Sequence, residues 1–150
     1  MKMLLFDPFV NLSFKGLPYT KENFINNLQV VNVPSDAPQG RLQRYYSLLG
    51  CDLIDIVVVQ IGGKLFDCIC DDEGLYKENR VAICWQNQEP DPHIVGKVLL
   101  CHNDGMGDES EIDEEDFELV LDSLAVVCSR DGFAYPVIVE DMEKPFGYPS

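Results

Sequence analysis

Residues 49–74 read LGCDLIDIVVVQIGGKLFDCICDDEG, and this stretch decides the fold. Its first half is almost continuously apolar and β-branched from Leu53 to Gln60, which is too short to span a membrane and is typical of a buried strand. Gly62 and Gly63 follow, and two adjacent residues that tolerate positive φ favour a two-residue type I′ turn. The pattern therefore predicts a β-hairpin.

The turn also fixes the register of the predicted hairpin, because a two-residue loop pairs the residues on either side of it. The predicted pairs are Ile61–Lys64, Val59–Phe66, Val58–Asp67, Val57–Cys68, Ile56–Ile69 and Asp55–Cys70. Cys68 and Cys70 then share an apolar face, which favours core thiols over metal ligands. Residues 71–74 predict a second turn, and Leu75 begins a third antiparallel strand, so we expect a central β-meander.

The remaining pattern completes an α+β domain, with a mostly antiparallel sheet and two or three helices packed on it. Further strands are predicted at 2–6, 29–33, 81–85, 93–102 and 135–140. The predicted helices lie within 20–28, from Ser35 or Asp36 to Gly50, and from Asp113 to Cys128. Gly96 suggests a bulge or a close approach in its strand, and Pro136 suggests an edge strand.

Composition and charge bound the class of protein. The chain has 150 residues and is 46% hydrophobic. It therefore fits one folded domain that buries roughly 68–70% of its unfolded surface. Twenty-six acidic and eleven basic side chains give a formal net charge of −15, which opposes binding to nucleic-acid phosphates and anionic lipid. We expect neither nucleic acid nor a membrane among the partners.

The N-terminal stretch MKMLLFDPFV and the six cysteines bear on the compartment. The stretch carries one lysine, and Asp7 and Pro8 break its short apolar run, so it resembles neither a secretion signal nor a transmembrane helix. Cysteines in the reducing cytosol are expected to stay as thiols. The sequence therefore predicts a cytoplasmic protein.

The strongest charge asymmetry falls in residues 103–122, which contain ten acidic side chains and no lysine or arginine. Asp113 is predicted to cap a helix with an acidic first turn. The candidate partner-binding side chains here are Asp108, Glu111, Glu114 and Glu115. Two interpretations stay open: a self-repelling, soluble surface, or an acidic face that binds a basic protein surface, for example by mimicking nucleic acid.

The residue types that carry chemistry do not occur at catalytic or metal-binding spacing. The cysteines and histidines lack the tight C-x₂₋₄-C turns of zinc sites. A calcium loop from Asp104 fails, because Met106 and Glu109 occupy positions that need an oxygen ligand and a glycine. Cys101 and His102 are strand neighbours that point to opposite faces. We therefore predict no catalytic residue, no metal and no cofactor.

A second set of candidate binding residues surrounds the turn after the hairpin. Asp72 and Glu73 lie in that turn, and Asn79 and Arg80 follow the next strand. One interpretation assigns them to turn formation and local charge balance. The alternative is a small-ligand-binding or enzymatic pocket near Asn79, Arg80 and Trp85, in which Arg80 binds a carboxylate or phosphate.

Five pieces of the chain occur in a recognisable order. They are LLG at 48–50, the strand IDIVVV at 54–59, the turn CDDEG at 70–74, the step ENR at 78–80 and the strand DPHIVGKVLL at 91–100. Together they resemble the domain-of-unknown-function family 3846 of bacteria, phages and plasmids, over residues 42–115. The resemblance implies a small α+β domain in a bacterium or mobile element, without an established activity.

The sequence as a whole predicts a single domain over 1–150, with a family-like core at 42–115. Residues 1–35 form an N-terminal segment, and residues 113–143 form a helix and strand extension. The leading hypothesis is a non-enzymatic accessory protein that binds a partner through its acidic face.

Overall fold

A computed structural model describes the chain in eight segments. They are residues 1–9, 13–14, 25–34, 38–73, 82–86, 94–103, 109–128 and 133–140. The strands are β1 (Lys2–Phe6), β2 (Ser13–Phe14), β3 (Leu28–Asn32), β4 (Ile54–Ile61), β5 (Lys64–Asp71), β6 (Ala82–Gln86), β7 (Ile94–Val95), β8 (Val98–Asn103), β9 (Glu109–Ser110), β10 (Leu124–Cys128) and β11 (Phe133–Glu140). The helices are α1 (Pro38–Leu49) and α2 (Glu114–Asp122).

The strands form two sheets. The first has the order β3-β1-β8-β5-β4, with β9 paired to β8, and its pairings are antiparallel. The second has the order β10-β11-β6-β7, with β2 paired to β11, and β11 runs parallel to β6. The predicted α+β class, with a mostly antiparallel sheet and two helices, is confirmed.

The predicted hairpin is confirmed as β4 and β5. Each predicted pair occurs in their ladder, which runs the whole length of both strands. Gly62 and Gly63 have φ angles of 57° and 83°, which glycine adopts readily and a type I′ turn requires. A Cβ at Gly62 would overlap the side chain of Leu119 in α2, whereas nothing lies within 4 Å of a Cβ at Gly63. Helix α2 therefore packs directly on the turn.

The second neighbour of β5 is β8, so the sheet departs from a simple meander at its third strand. Residues 66–70 of β5 and 98–101 of β8 are all buried. Strands covered on both faces read as continuous apolar runs and belong inside a sheet. The next strand in sequence, β6, lies in the second sheet. The position predicted for the third strand, from Leu75, lies outside the described residues.

The strand predicted for residues 93–102 is two strands in different sheets. Strand β7 pairs with β6, and β8 pairs with β1 and β5. Gly96 separates them at a φ of 85°, where a residue with a side chain is strained. The prediction of one strand was wrong, because the glycine changes the direction of the chain.

Helix α2 begins where predicted but ends six residues before Cys128, at Asp122. The Ser123 hydroxyl donates to the Leu119 carbonyl at 2.9 Å and helps to close the helix. Residues 124–128 read LAVVC and form β10 against β11. The longer helix was wrong, because an apolar β-branched run gains more from a strand partner than from its helical spacing.

Strand β11 is an inner strand, so the prediction that Pro136 marks an edge was wrong. Pro136 pairs with Val126 of β10. On the other side of β11, β2 pairs with residues 133–134 and β6 with residues 138–140. The Val139 N–H bonds to Ser123 on the β10 side, so the ring nitrogen of Pro136 faces the gap between β2 and β6. No hydrogen bond is lost there.

The other predicted elements are close to those observed. Strands β1, β3 and β6 and helix α1 are confirmed, and Gly50 follows α1 at a φ of 65°. The helix predicted within residues 20–28 is wrong at its end, because residues 25–27 form one 3₁₀ turn and Leu28 begins β3. Residues 20–24 lie outside the described part of the chain.

Two apolar clusters cover the two faces of the first sheet. The cluster on the α1 side consists of Met3, Val33, Tyr45, Leu49, Cys51, Ile69, Leu99 and Cys101. The cluster on the α2 side contains Cys68 and Cys70, as predicted, together with Val120 and Leu121 of α2 and Ile138 of the second sheet. The first sheet is therefore the middle layer, with α1 on one face and α2 and the second sheet on the other.

The contact between Gly62 and α2 predicts unequal effects of two neighbouring substitutions. Gly63→Ala should destabilise the protein by about 1–2 kcal/mol, the cost of a side chain in the left-handed region. Gly62→Ala carries the same cost, and overlap with Leu119 adds about 1–3 kcal/mol. Urea unfolding of both variants measures the difference. Combining Gly62→Ala with Leu119→Ala should recover part of the loss, and strict additivity would contradict the contact.

Candidate functional site

A reciprocal cap fixes the start of α2. The Asp116 N–H donates to Asp113 Oδ1 at 2.9 Å, and the Asp113 N–H donates to Asp116 Oδ2 at 2.9 Å. The first turn carries Glu114, Glu115 and Asp116, whose charges favour the positive end of the helix dipole. The predicted cap at Asp113 is confirmed.

Asp116 connects this cap to the hairpin. Its side chain is fully buried, and its Oδ1 accepts a hydrogen bond from Lys64 Nζ at 3.1 Å. His102 Nε2 lies 3.9 Å from the same oxygen. The hydrogen bond to Asp116 raises the pKa of Lys64 above 10.5, so the ammonium stays charged at neutral pH and compensates the buried carboxylate. Asp116 is therefore a structural acid that positions the start of α2.

An open groove of about 610 Å³ runs beside the N-terminal half of α2, next to β1 and β3. Its lining residues are Lys2, Val30, Glu111, Ile112, Asp113, Glu114, Phe117 and Glu118. Val30 is 51% exposed although it is apolar, while Ile112 is buried and Phe117 is half-buried. The groove therefore combines an apolar floor with four carboxylates and one ammonium group.

The segment before α2 is held against β1 by main-chain contacts. The Lys2 N–H donates to Glu111 Oε1 at 3.1 Å, and the Ile112 N–H donates to the Lys2 carbonyl at 3.1 Å. The α-ammonium of Met1 lies 3.8 Å from the same Glu111 oxygen and donates to the Val33 carbonyl at 2.8 Å. These contacts fix the end of the groove at Glu111, whose side chain remains 60% exposed.

The acids that line the groove differ in their other partners. The pKa of Asp113 lies below its usual value of 3.8, chiefly because the carboxylate accepts the Asp116 N–H, so it is ionised at neutral pH. Glu114 and Glu118 are one helical turn apart on the same face of α2, and both are exposed. Two adjacent exposed carboxylates beside an apolar floor attract cations with aliphatic stems.

Two of the predicted partner-binding acids, Glu111 and Glu114, meet in this groove. Glu115 faces away from it, since its Oε2 lies 3.9 Å from Lys64 Nζ. Asp108 lies outside the described residues. The acid-rich segment thus divides between a groove-facing set and a set that contacts the hairpin.

The second predicted set of site residues is not near the groove. Asp72 and Glu73 are exposed in the turn after β5. Seven strand steps separate Lys64 from the other end of β5, which is about 23 Å at the usual rise. Asn79 and Arg80 lie outside the described residues, and so does the side chain of Trp85, whose backbone belongs to β6. The pocket predicted around them stays a prediction.

Sequence reasoning missed three residues of the groove. Phe117 belongs to the apolar stripe of α2 and was assigned to the core, and Val30 gave no signal within an apolar strand. Glu118 had a usable signal, because a carboxylate four residues after Glu114 shares its helix face. Only the packing of α2 against β1 and β3 brings these side chains together.

Other chemistry was searched for in the described segments. Within them, no three His, Cys, Asp or Glu side chains come together as a metal-binding group. The described cysteines Cys51, Cys68, Cys70 and Cys101 are buried thiols. No helix in these segments has the length and apolar character needed to cross a membrane.

Comparison with known proteins places the chain in a family. The model of a domain of unknown function, DUF3846, matches residues 19–125. The chain belongs to this family. In this DUF3846 member the match extends on both sides of residues 42–115, and it includes Val30 and the groove-lining part of α2. No curated protein and no solved structure matched the chain.

The lowered pKa of Asp113 predicts how stability depends on pH. A carboxyl group with a depressed native pKa stabilises the fold above its unfolded pKa, and this contribution is lost as the pH falls through the native value. Asp113→Asn keeps a good helix cap but removes the charge. The variant should unfold at a lower temperature than the wild type at neutral pH, and the difference should vanish well below pH 3.8.

Thermal unfolding followed by circular dichroism across this pH range measures the effect. Glu73→Gln removes an exposed acid far from the cap and serves as the control. A difference between wild type and Asp113→Asn that stays constant down to the lowest pH would contradict the assignment.

Proposed function

We propose that this DUF3846 protein is a non-enzymatic, cytosolic accessory protein of a bacterium or mobile element, and that it binds a basic protein segment in the groove beside α2. The observation that carries the proposal is the exposed apolar floor at Val30 and Phe117 within a rim of carboxylates. A soluble surface needs acids, but it does not need them arranged around an open apolar floor.

The chemistry of the groove favours lysine and arginine over other partners. Their methylene stems pack on apolar surface while the charged heads stay with the carboxylates. Glu114 and Glu118 are exposed on α2 and available to such heads, whereas the Lys64 ion pair uses Glu115 and Asp116. The net charge of −15 adds long-range attraction for a basic partner and repels nucleic acid.

The compartment and setting in this proposal have separate support. Reduced, buried thiols among the described cysteines are compatible with a reducing cytosol. The bacterial, phage and plasmid setting comes from the resemblance to family 3846. An accessory role fits a surface that binds a partner and a sequence without catalytic spacing.

A binding measurement with a defined probe tests the proposal. The probe is a short fluorescent peptide in which lysine alternates with valine and threonine, followed by fluorescence anisotropy at low salt. The double variant Glu114→Gln/Glu118→Gln should bind it roughly three- to tenfold more weakly, since exposed ion pairs contribute about 0.2–1 kcal/mol each. Binding should also weaken as salt is added.

The matched control is Asp72→Asn/Glu73→Gln, which removes the same charge from the exposed turn after β5. It should bind the peptide as the wild type does. Equal weakening by both double variants would mean that the peptide responds only to net charge, and the groove proposal would fail. Val30→Ser tests the apolar floor and should weaken binding without changing the salt dependence.

A further inference from the structure

Strand β3 ends the first sheet beside the groove, and its hydrogen-bonding pattern is known from its flanks. The Val33 N–H bonds to the Met1 carbonyl at 2.8 Å, and the Asp7 N–H bonds to the Asn27 carbonyl at 2.9 Å. In an antiparallel ladder, alternate residues bond the same neighbour. The odd-numbered residues of β3 therefore bond β1, and Leu28 and Val30 direct their N–H and C=O groups away from it.

The groove lies on one side of this outward edge. Val30 lines the groove with its side chain and presents its backbone at the sheet edge. A strand added opposite Val30 would place every second side chain on the groove face, because directly opposed residues share a face of the sheet. Those side chains would meet Phe117, Glu114 and Glu118.

The other side of the same edge has the opposite charge. Arg44 Nε donates to the Asn32 carbonyl at 3.4 Å, and Arg41 Nε donates to the Pro34 carbonyl at 3.1 Å. Both arginines belong to α1, which packs on the face away from the groove. The edge of β3 thus has carboxylates on one face and guanidinium groups on the other. An added strand matches it when cationic side chains alternate with neutral or acidic ones.

The opposite edge of the sheet is protected in a way that β3 is not. In the hairpin register, the Ile56 N–H points away from β5. This N–H donates to Asp55 Oδ1 at 2.9 Å, so a side chain occupies the position that an added strand would need. A charged residue that blocks edge pairing is a recognised device against strand addition. Among the described strands, the edge suited to a basic segment is β3.

We infer that the groove takes its basic partner as an extended strand that adds antiparallel to β3 at Leu28 and Val30. Lysine or arginine side chains of that strand face Glu114 and Glu118, an apolar side chain faces Val30 and Phe117, and neutral or acidic side chains between them face α1. This inference rests on the proposed function and adds the conformation and sequence pattern of the partner. Main-chain bonds supply the affinity, and the alternating side chains supply the specificity.

Backbone methylation of the probe peptide separates strand addition from other modes of binding. In an antiparallel pair with Val30, the peptide residues that face the groove are also those whose N–H groups bond β3. Methylating the nitrogens of the lysine and valine residues should weaken binding at least about tenfold, because bonds are lost and the strands collide. Methylating the threonine nitrogens, which point to solvent, should change binding less than about twofold.

A protein variant and an exchange measurement give independent readouts. Val30→Pro removes the outward N–H while keeping an apolar ring, and it leaves the bonds to β1 intact. It should lose peptide binding, whereas Val30→Ile should keep it. In the wild type, saturating peptide should slow amide exchange at Leu28 and Val30. The methylated peptides keep the test valid if Val30→Pro fails to fold.

The outcomes distinguish the two proposals. If both methylated peptides bind like the parent peptide, and the amides of Leu28 and Val30 exchange at their free rate, strand addition is overturned while groove binding stands. If the unmodified peptide fails to bind at low salt, both proposals are overturned. Selective loss with the lysine and valine methylation, together with slowed exchange at the two amides, supports strand addition.

Discussion

Asp116 has a fully buried carboxylate whose two oxygens serve two parts of the chain. One oxygen accepts the backbone N–H that begins α2, and the other accepts the ammonium of Lys64 beside the hairpin turn. Burying a carboxylate alone costs several kcal/mol, so its position is set by these partners. The groove depends on this arrangement, because the start of α2 presents Glu114 and Phe117 beside β3 only when the helix is held at the hairpin.

Local signals in the sequence were sufficient where geometry is local. Two glycines at 62–63 determined the turn and with it the whole register of β4 and β5. A cap residue followed by acids located the start of α2. Each of these features depends on residues within a few positions of one another, so the sequence displays them directly.

The features that sequence reasoning missed depend on partners far away in the chain. The third strand beside β5 comes from residues 98–103, and the run at 124–128 becomes a strand because β11 pairs with it. At the candidate site, Glu111 and Glu114 were predicted from charge. Val30 lies about 80 positions earlier, and no local pattern connects it to them. Tertiary packing decided these positions over propensity.

Strand β1 has a consequence for synthesis, because it pairs with β3 on one side and with β8 on the other. Leu4 waits for Leu100, and the ribosome adds the intervening residues at about 5–20 per second. The apolar run at 3–6 therefore spends roughly 5–20 seconds without its second neighbour. During that interval β1 is exposed to chaperones and to other nascent chains, so the yield of folded protein should depend more on the speed of translation than on the stability of the finished sheet.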